Sequence, residues 1–365
     1  MCNVGRRLAS THVHIHLSCL ALLVACNGSA QSLPDAAPEP DAPAVDAAEV
    51  DAAAVDASAP DAFVPEAVVI ASGEAHPESI AVFDGTVYWM TSTTRGPGQV
   101  RKASMGHAPQ VIAANEESPL GLAVGNGALE PTVYWGTASL FGQVRQVAAS
   151  GAPPIAGAPL NDLVLSLALD GDTVFAGTRG GVYSKPLGSG WSVTRLPGEY
   201  SNGVTALTAD STGVVLGARR YPDDAWIVAT MWRSGGPVKT LHTGTEAIRG
   251  VAISGLTVFW IENNSVWSVP RSGGTPVAVK SFTGFNVPSS IVASGGTLYV
   301  AVNQGVINPS GATGSIVAID TVTFDAREIA RAQLEPSDVA VDASYVYWTN
   351  RGIAASEGAI MRIRR

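Results

Sequence analysis

From about residue 66 onward the chain's apolar residues fall into short runs that recur at a steady spacing. The leading run of each repeat is Ser79-Ile80-Ala81-Val82, Gly121-Leu122-Ala123-Val124, Ser166-Leu167-Ala168-Leu169, Ala206-Leu207-Thr208-Ala209, Gly250-Val251-Ala252-Ile253, Ser290-Ile291-Val292-Ala293 and Asp338-Val339-Ala340-Val341. Its second residue falls at 80, 122, 167, 207, 251, 291 and 339, giving intervals of 42, 45, 40, 44, 40 and 48. A second, more continuous run follows each, from Val87-Tyr88-Trp89 and Val133-Tyr134-Trp135 to Val258-Phe259-Trp260 and Val346-Tyr347-Trp348. Gly, Asp or Ser joins the two runs, which is the chemistry of a β-hairpin. A third run follows, as in Gln99-Val100-Arg101 and Gln143-Val144-Arg145. Tight turns such as Arg271-Ser272-Gly273-Gly274-Thr275-Pro276 then lead to a fourth.

Four strands in each repeat, with no helical periodicity between them, predict an all-β, seven-bladed β-propeller over residues 66–365. The residue choices fit the places that blades provide. First strands converge on a central axis, where Ala and Ser fit. Second strands lie between neighbouring blades on both faces, hence their unbroken Val, Tyr and Trp. The last repeat contains only three strands. Glu66-Ala67-Val68-Val69-Ile70-Ala71-Ser72 is expected to supply its fourth, closing the ring and covering two bare edges.

Two segments precede the repeats. Residues 1–25 have the layout of an export signal, with Arg6 and Arg7 ahead of the apolar stretch Leu17 to Ala25. Nine helical residues span about 14 Å, too short for a hydrocarbon core of about 30 Å. Leu23-Val24-Ala25-Cys26 resembles the lipobox of bacterial lipoproteins. That resemblance implies cleavage before Cys26, lipidation of its thiol and a lasting membrane anchor. Residues 26–65 are built largely from Ala, Asp, Pro and Val, with eight carboxylates and no Lys or Arg. Like charges and prolines prevent a continuous helix, so this segment reads as an extended, disordered tether. It lacks the turn glycines and oxygen spacing of a calcium loop.

Charge and cysteine usage sharpen this picture. The net charge of −9 argues against nucleic acid as a partner. The tether carries −8 of it, while the repeats hold 20 basic and 23 acidic residues. None of the three cysteines (Cys2, Cys19 and Cys26) lies beyond residue 26, so no disulfide framework or catalytic thiol is expected in the repeats. Localisation in a bacterial cell envelope, extracytoplasmic and facing the outer membrane or periplasm, follows as an expectation. So does a monomer.

Tyr347-Trp348-Thr349-Asn350, Tyr88-Trp89-Met90-Thr91 and Tyr134-Trp135-Gly136-Thr137 resemble the Tyr-Trp-Thr-Asp repeat of lipoprotein-receptor propellers and NHL-type bacterial propellers. Asn350 stands where that motif has Asp, and seven repeats stand where the receptor family has six. The resemblance implies a binding role without naming a ligand.

Ligands are expected at the face bearing the loops before strand one and after strand two. Glu78 and Asp338 come from the first and last blades, which ring closure makes neighbours. With Asn161, Asn202 and Asn286 they loosely mimic a channel Ca²⁺ site of lactonase-type propellers. A metal-dependent lactonase or lyase is therefore the rival reading, although no cofactor is required by the sequence. Arg179, Arg219 and Arg351 each lie three residues past strand two; Arg95 lies six past, and Arg249 precedes a first strand. Guanidinium forks at one mouth suit carboxylate or phosphate, and Asp223, Asp224, Glu262 and Glu357 are candidate partners that would neutralise them. His76, His107 and His242 have no Gly-x-Ser-x-Gly elbow beside them, so no catalytic residue is assigned. The reading is a binding or scaffold module for a protein, a glycan or a small anionic ligand. Trp191 and Trp226, outside the second-strand pattern, are its candidates for exposed contact.

Overall fold

Alternating and continuous apolar runs fold as the hairpin chemistry requires. The computed structural model describes residues 66–365 except 94–95, 128, 140, 156, 158, 188–192, 199, 234–235 and 305–313. The signal, Cys26 and the tether therefore lie outside the described residues, as do Arg95 and Trp191. The described strands form seven antiparallel sheets. Their inner strands are Pro77–Phe83, Pro119–Asn126, Val164–Asp170, Tyr200–Asp210, Ile248–Ser254, Asn286–Ser294 and Pro336–Val341. Six sheets have four strands. The second blade has three, with isolated bridges Gln143–Pro159 and Gln146–Ile155 along its outer edge. Pro153, Pro154 and Pro159 fall in that outer segment, and a residue without an N–H cannot donate to a ladder.

Ring closure follows the sequence expectation. Val68–Glu74 pairs antiparallel with Gly358–Arg364 in the seventh blade, from Val68 opposite Arg362 to Glu74 opposite Gly358, with register shifts after Val69 and after Ser72. The core lies at the junctions between blades. One cluster joins Tyr88, Met90 and Val100 of blade 1 to Val133, Trp135 and Val147 of blade 2. Another joins Ala71, Tyr347 and Ile360 of blade 7 to Ile80, Val87 and Trp89 of blade 1. The four second-strand tryptophans, Trp89, Trp135, Trp260 and Trp348, are fully buried. Each large apolar side chain buried in this way contributes about 1.5–3 kcal/mol.

Two polar devices repeat around the ring. The indole N–H of Trp89 donates to Glu74 at 2.8 Å, that of Trp135 to Glu116 at 2.9 Å, and that of Trp348 to the amide oxygen of Gln333 at 2.9 Å. Each acceptor stands three residues ahead of the proline that starts an inner strand: Pro77, Pro119 and Pro336. The residue just before that proline takes a left-handed backbone in all three cases, with φ of 45° at His76, 40° at Ser118 and 52° at Glu335. The second device is a hydroxyl at the start of one inner strand that donates to a backbone carbonyl of the next. Thr205 reaches Ile248 at 2.7 Å, Ser289 reaches Pro336 at 3.0 Å and Ser337 reaches Pro77 at 3.0 Å. The last of these spans the ring closure.

Candidate functional site

The seven inner strands enclose a channel of about 490 Å³. Small Gly, Ala, Ser and Thr side chains alternate in its lining with Val, Leu and Ile. Glu78, Arg249 and Asp338 are its charged lining residues. Thus three of the predicted residues are brought together by the fold.

Asp338 lies deepest in the hydrogen-bond network. One carboxylate oxygen accepts from the Ser290 hydroxyl at 2.6 Å and the Val339 N–H at 2.9 Å. The other accepts from the Ile80 N–H at 2.9 Å. One side chain thus joins blades 6, 7 and 1. Removal from water pushes its pKa above the usual carboxylate value, and the three donors only partly offset that rise. At the corresponding place on five other inner strands stand Ser79, Gly121, Ser166, Gly250 and Ser290, so the acid is particular to the closing blade.

The loops after strand two share the face of the channel mouth. A backbone bond draws each toward the start of its own inner strand: Arg179 N–H to Leu163 at 3.0 Å, and Arg351 N–H to Glu335 at 2.9 Å. The Arg351 guanidinium lies 3.5 Å from the Glu78 carboxylate, tying that loop to the channel rim. Arg249 is exposed and donates to the Asn263 carbonyl at 2.9 Å. Arg179 is exposed on the same face but does not line the channel. Arg219 turns away: it pairs with Asp224 at 2.9 Å and stacks over Trp226 at 5.9 Å.

The candidate acidic partners divide accordingly. Asp223 pairs with Arg220, and Glu357 accepts the backbone N–H of Ile353 and Ala354. Glu262 is buried and accepts from the Trp260 indole at 3.3 Å, with His242 at 2.8 Å. His242 belongs to the outer strand Lys239–Gly244. Of the asparagines set beside Glu78 and Asp338, Asn161 and Asn286 are not among the channel-lining residues, and the side chain of Asn202 lies outside what the structure describes. Asn161 is exposed in a left-handed turn, and the Asn286 amide donates to the Thr283 carbonyl, so both act as turn residues.

The junction acceptors Glu74, Glu116 and Gln333 escaped the sequence reading, and so did the blade-to-blade bonds of the Thr205, Ser289 and Ser337 hydroxyls. A signal was present in the Glu/Gln-x-x-Pro spacing ahead of three inner strands. Its meaning needs the indole donor, which comes from a strand some fifteen residues away.

No protein-family model matches the chain, and no curated protein sequence does either. Among solved structures, U3-55K is similar with a TM-score of 0.63 and 12% identity, over 82% of this chain and 98% of that one. The extracellular domain of the putative one component system BT4673 from B. thetaiotaomicron gives a TM-score of 0.58 at 11% identity, over 82% of this chain and 40% of that one. The computationally designed Ika8 protein gives 0.55 at 12% identity, over 80% and 98%. At such identities these likenesses establish the fold.

Proposed function

We propose that this chain is a binding or scaffold module whose ligand meets the channel mouth at Glu78, Arg249 and Arg351, above Asp338. The observation that carries this reading is the channel itself: inner-strand residues frame a polar opening with charged groups at its rim. A concave site with few, placed polar groups is the usual form of a ligand pocket. Arg249 and Arg351 present the donors that a carboxylate or phosphate group would accept. A protein or glycan bearing such a group, or a small anion, fits the same geometry. Nucleic acid does not, because the surrounding charge is mixed.

In this reading the protein is a monomeric bacterial lipoprotein with a Tyr-Trp-Thr-Asp-like or NHL-like propeller. It is held in the cell envelope through Cys26 and faces away from the cytoplasm, and its acidic segment acts as the tether. The lipobox-like Leu23-Val24-Ala25-Cys26 and the acidic composition of residues 26–65 support the anchor. A bacterial extracellular domain among the similar folds is compatible with that address.

A photo-reactive side chain placed at Arg179 or Arg351 tests the binding face in cells. Crosslinks should form from these positions and be weak from Leu256, an exposed residue in a turn at the opposite end of the inner strands. Equal labelling from Leu256 would contradict the assignment. Cys26→Ala should move the protein from the membrane fraction to the soluble fraction, and persistence in the membrane would exclude the lipid anchor.

A further inference from the structure

Trp232 ends the third strand of blade 4, Trp226–Trp232, with 63% of its surface exposed. The repeat does not call for it. At the matching register in three other blades a threonine faces a smaller partner, Thr86 opposite Ser104, Thr173 opposite Pro186 and Thr257 opposite Pro270, and in blade 7 Tyr345 faces Arg364. Blade 4 places Gly213 opposite Trp232 instead. A Cβ at Gly213 would collide with the Met231 carbonyl, so the strand partner is kept free of a side chain. A Cβ at Gly236 would lie 3.3 Å from the indole Cδ1, so glycine keeps that flank open as well. An indole that packs against little and is flanked by two glycines is a surface for something else.

The ring borders a groove of about 500 Å³ between blades 3 and 4, lined by the hydroxyl residues Thr173, Ser184, Ser211 and Thr212. Arg233 lies beside the ring with its charge already met. Its guanidinium reaches Asp170 at 2.9 Å and the Thr173 hydroxyl at 2.7 Å, and it pairs with Asp172. The Asp172 carboxylate remains 80% exposed. The groove therefore combines one flat apolar face with hydroxyls and a neutralised carboxylate–guanidinium pair. A phosphate-bearing ligand would find the arginine occupied. An extended peptide would find no row of apolar pockets, and Lys239–Gly244 covers the outer edge of Trp226–Trp232 as far as Thr230.

We propose that this groove binds a β-1,4-linked, gluco-configured oligosaccharide, with Trp232 stacked on the flat C–H face of one pyranose. Equatorial hydroxyls leave that face free of polar groups and direct them outward, where the exposed Asp172 carboxylate accepts and the exposed Ser211 hydroxyl donates or accepts, while Thr173 and Thr212 already donate to Asp172 and Asp210. Tryptophan serves such sites because it offers a large, rigid area at low entropic cost. This site is separate from the channel mouth and does not depend on its function.

Cellohexaose and chitohexaose, titrated into the full chain by calorimetry, test the proposal. At least one should bind saturably with a dissociation constant of about 1 mM or tighter. Trp232→Ala should weaken that binding by about tenfold or more, while Trp232→Phe keeps most of it and Arg249→Ala leaves it unchanged. Melting of each variant, expected to match the parent because the ring is exposed, separates lost binding from lost fold. Absence of saturable binding for both sugars up to about 10 mM, or undiminished binding by a folded Trp232→Ala variant, would overturn it. Loss of binding in Arg249→Ala alone would move the sugar to the channel mouth and equally overturn the groove.

Discussion

Asp338 shows how one residue type at one place in a repeat changes what the repeat can do. Serine or glycine at most corresponding positions keeps the channel wall narrow and neutral, whereas the carboxylate gathers donors from three blades. Burial raises its pKa above the ordinary carboxylate value of about 3.9. A carboxyl with a raised folded pKa contributes stability that is fully present below its unfolded pKa and lost as the pH rises through the folded one. Titration of the Asp338 side-chain carbon by NMR should give a midpoint above that of an unfolded aspartate; a midpoint at or below it would contradict the desolvated environment. The sequence marked Asp338 and Glu78 as neighbours across the closure, because a closed ring requires it. It could not show which arginines turn inward: Arg219 has a carboxylate five residues on and takes it, whereas Arg249 donates to the Asn263 carbonyl.

At the scale of elements, strands and hairpins were legible because apolar runs and Gly/Asp turns record local chemistry directly. The second blade's missing outer strand was legible in principle too, from its prolines. The junction devices were not, since they join residues whose meeting depends on blade packing. Glu74 is buried against the Trp89 indole, with Arg101 at 3.4 Å, and Glu116 likewise holds Trp135, with Arg145 at hydrogen-bond distance. Glu74→Ala should cost about 1–3 kcal/mol, because the indole N–H is left without its acceptor. Urea unfolding measures this, and a loss below a few tenths of a kcal/mol would show the bond to be dispensable. On the opposite face, arginines at the ends of third strands clasp the preceding blade. Arg271 reaches Asp210 at 2.7 Å and Arg233 reaches Asp170 at 2.9 Å. These pairs are partly exposed, so Arg271→Ala should cost only about 0.2–1 kcal/mol, a smaller loss than Glu74→Ala in the same assay.

Across the whole molecule, stability comes from a closed cycle of junctions, each burying the second strand of one blade against the next. The strand from the beginning of the ring completes the seventh blade, while the Ser337 hydroxyl and the Asp338 carboxylate both reach across to blade 1. Deleting Val68–Glu74 should therefore bare the edge of Gly358–Arg364, remove the Trp89 acceptor and promote association through the open edge. Light scattering and a broadened, lowered melting transition would report it; a monomer with an unchanged melting transition would show that closure is unnecessary. The same closure makes the channel mouth one continuous rim, on which the proposed binding role rests. A thermal-shift screen of carboxylate- and phosphate-bearing small molecules, run in parallel on the parent and Arg249→Ala, tests this role most directly. Compounds that raise the parent's melting temperature should lose most of that effect in the variant. A screen in which none stabilises the parent, or in which the stabilised set is the same without Arg249, would contradict an anion-binding mouth.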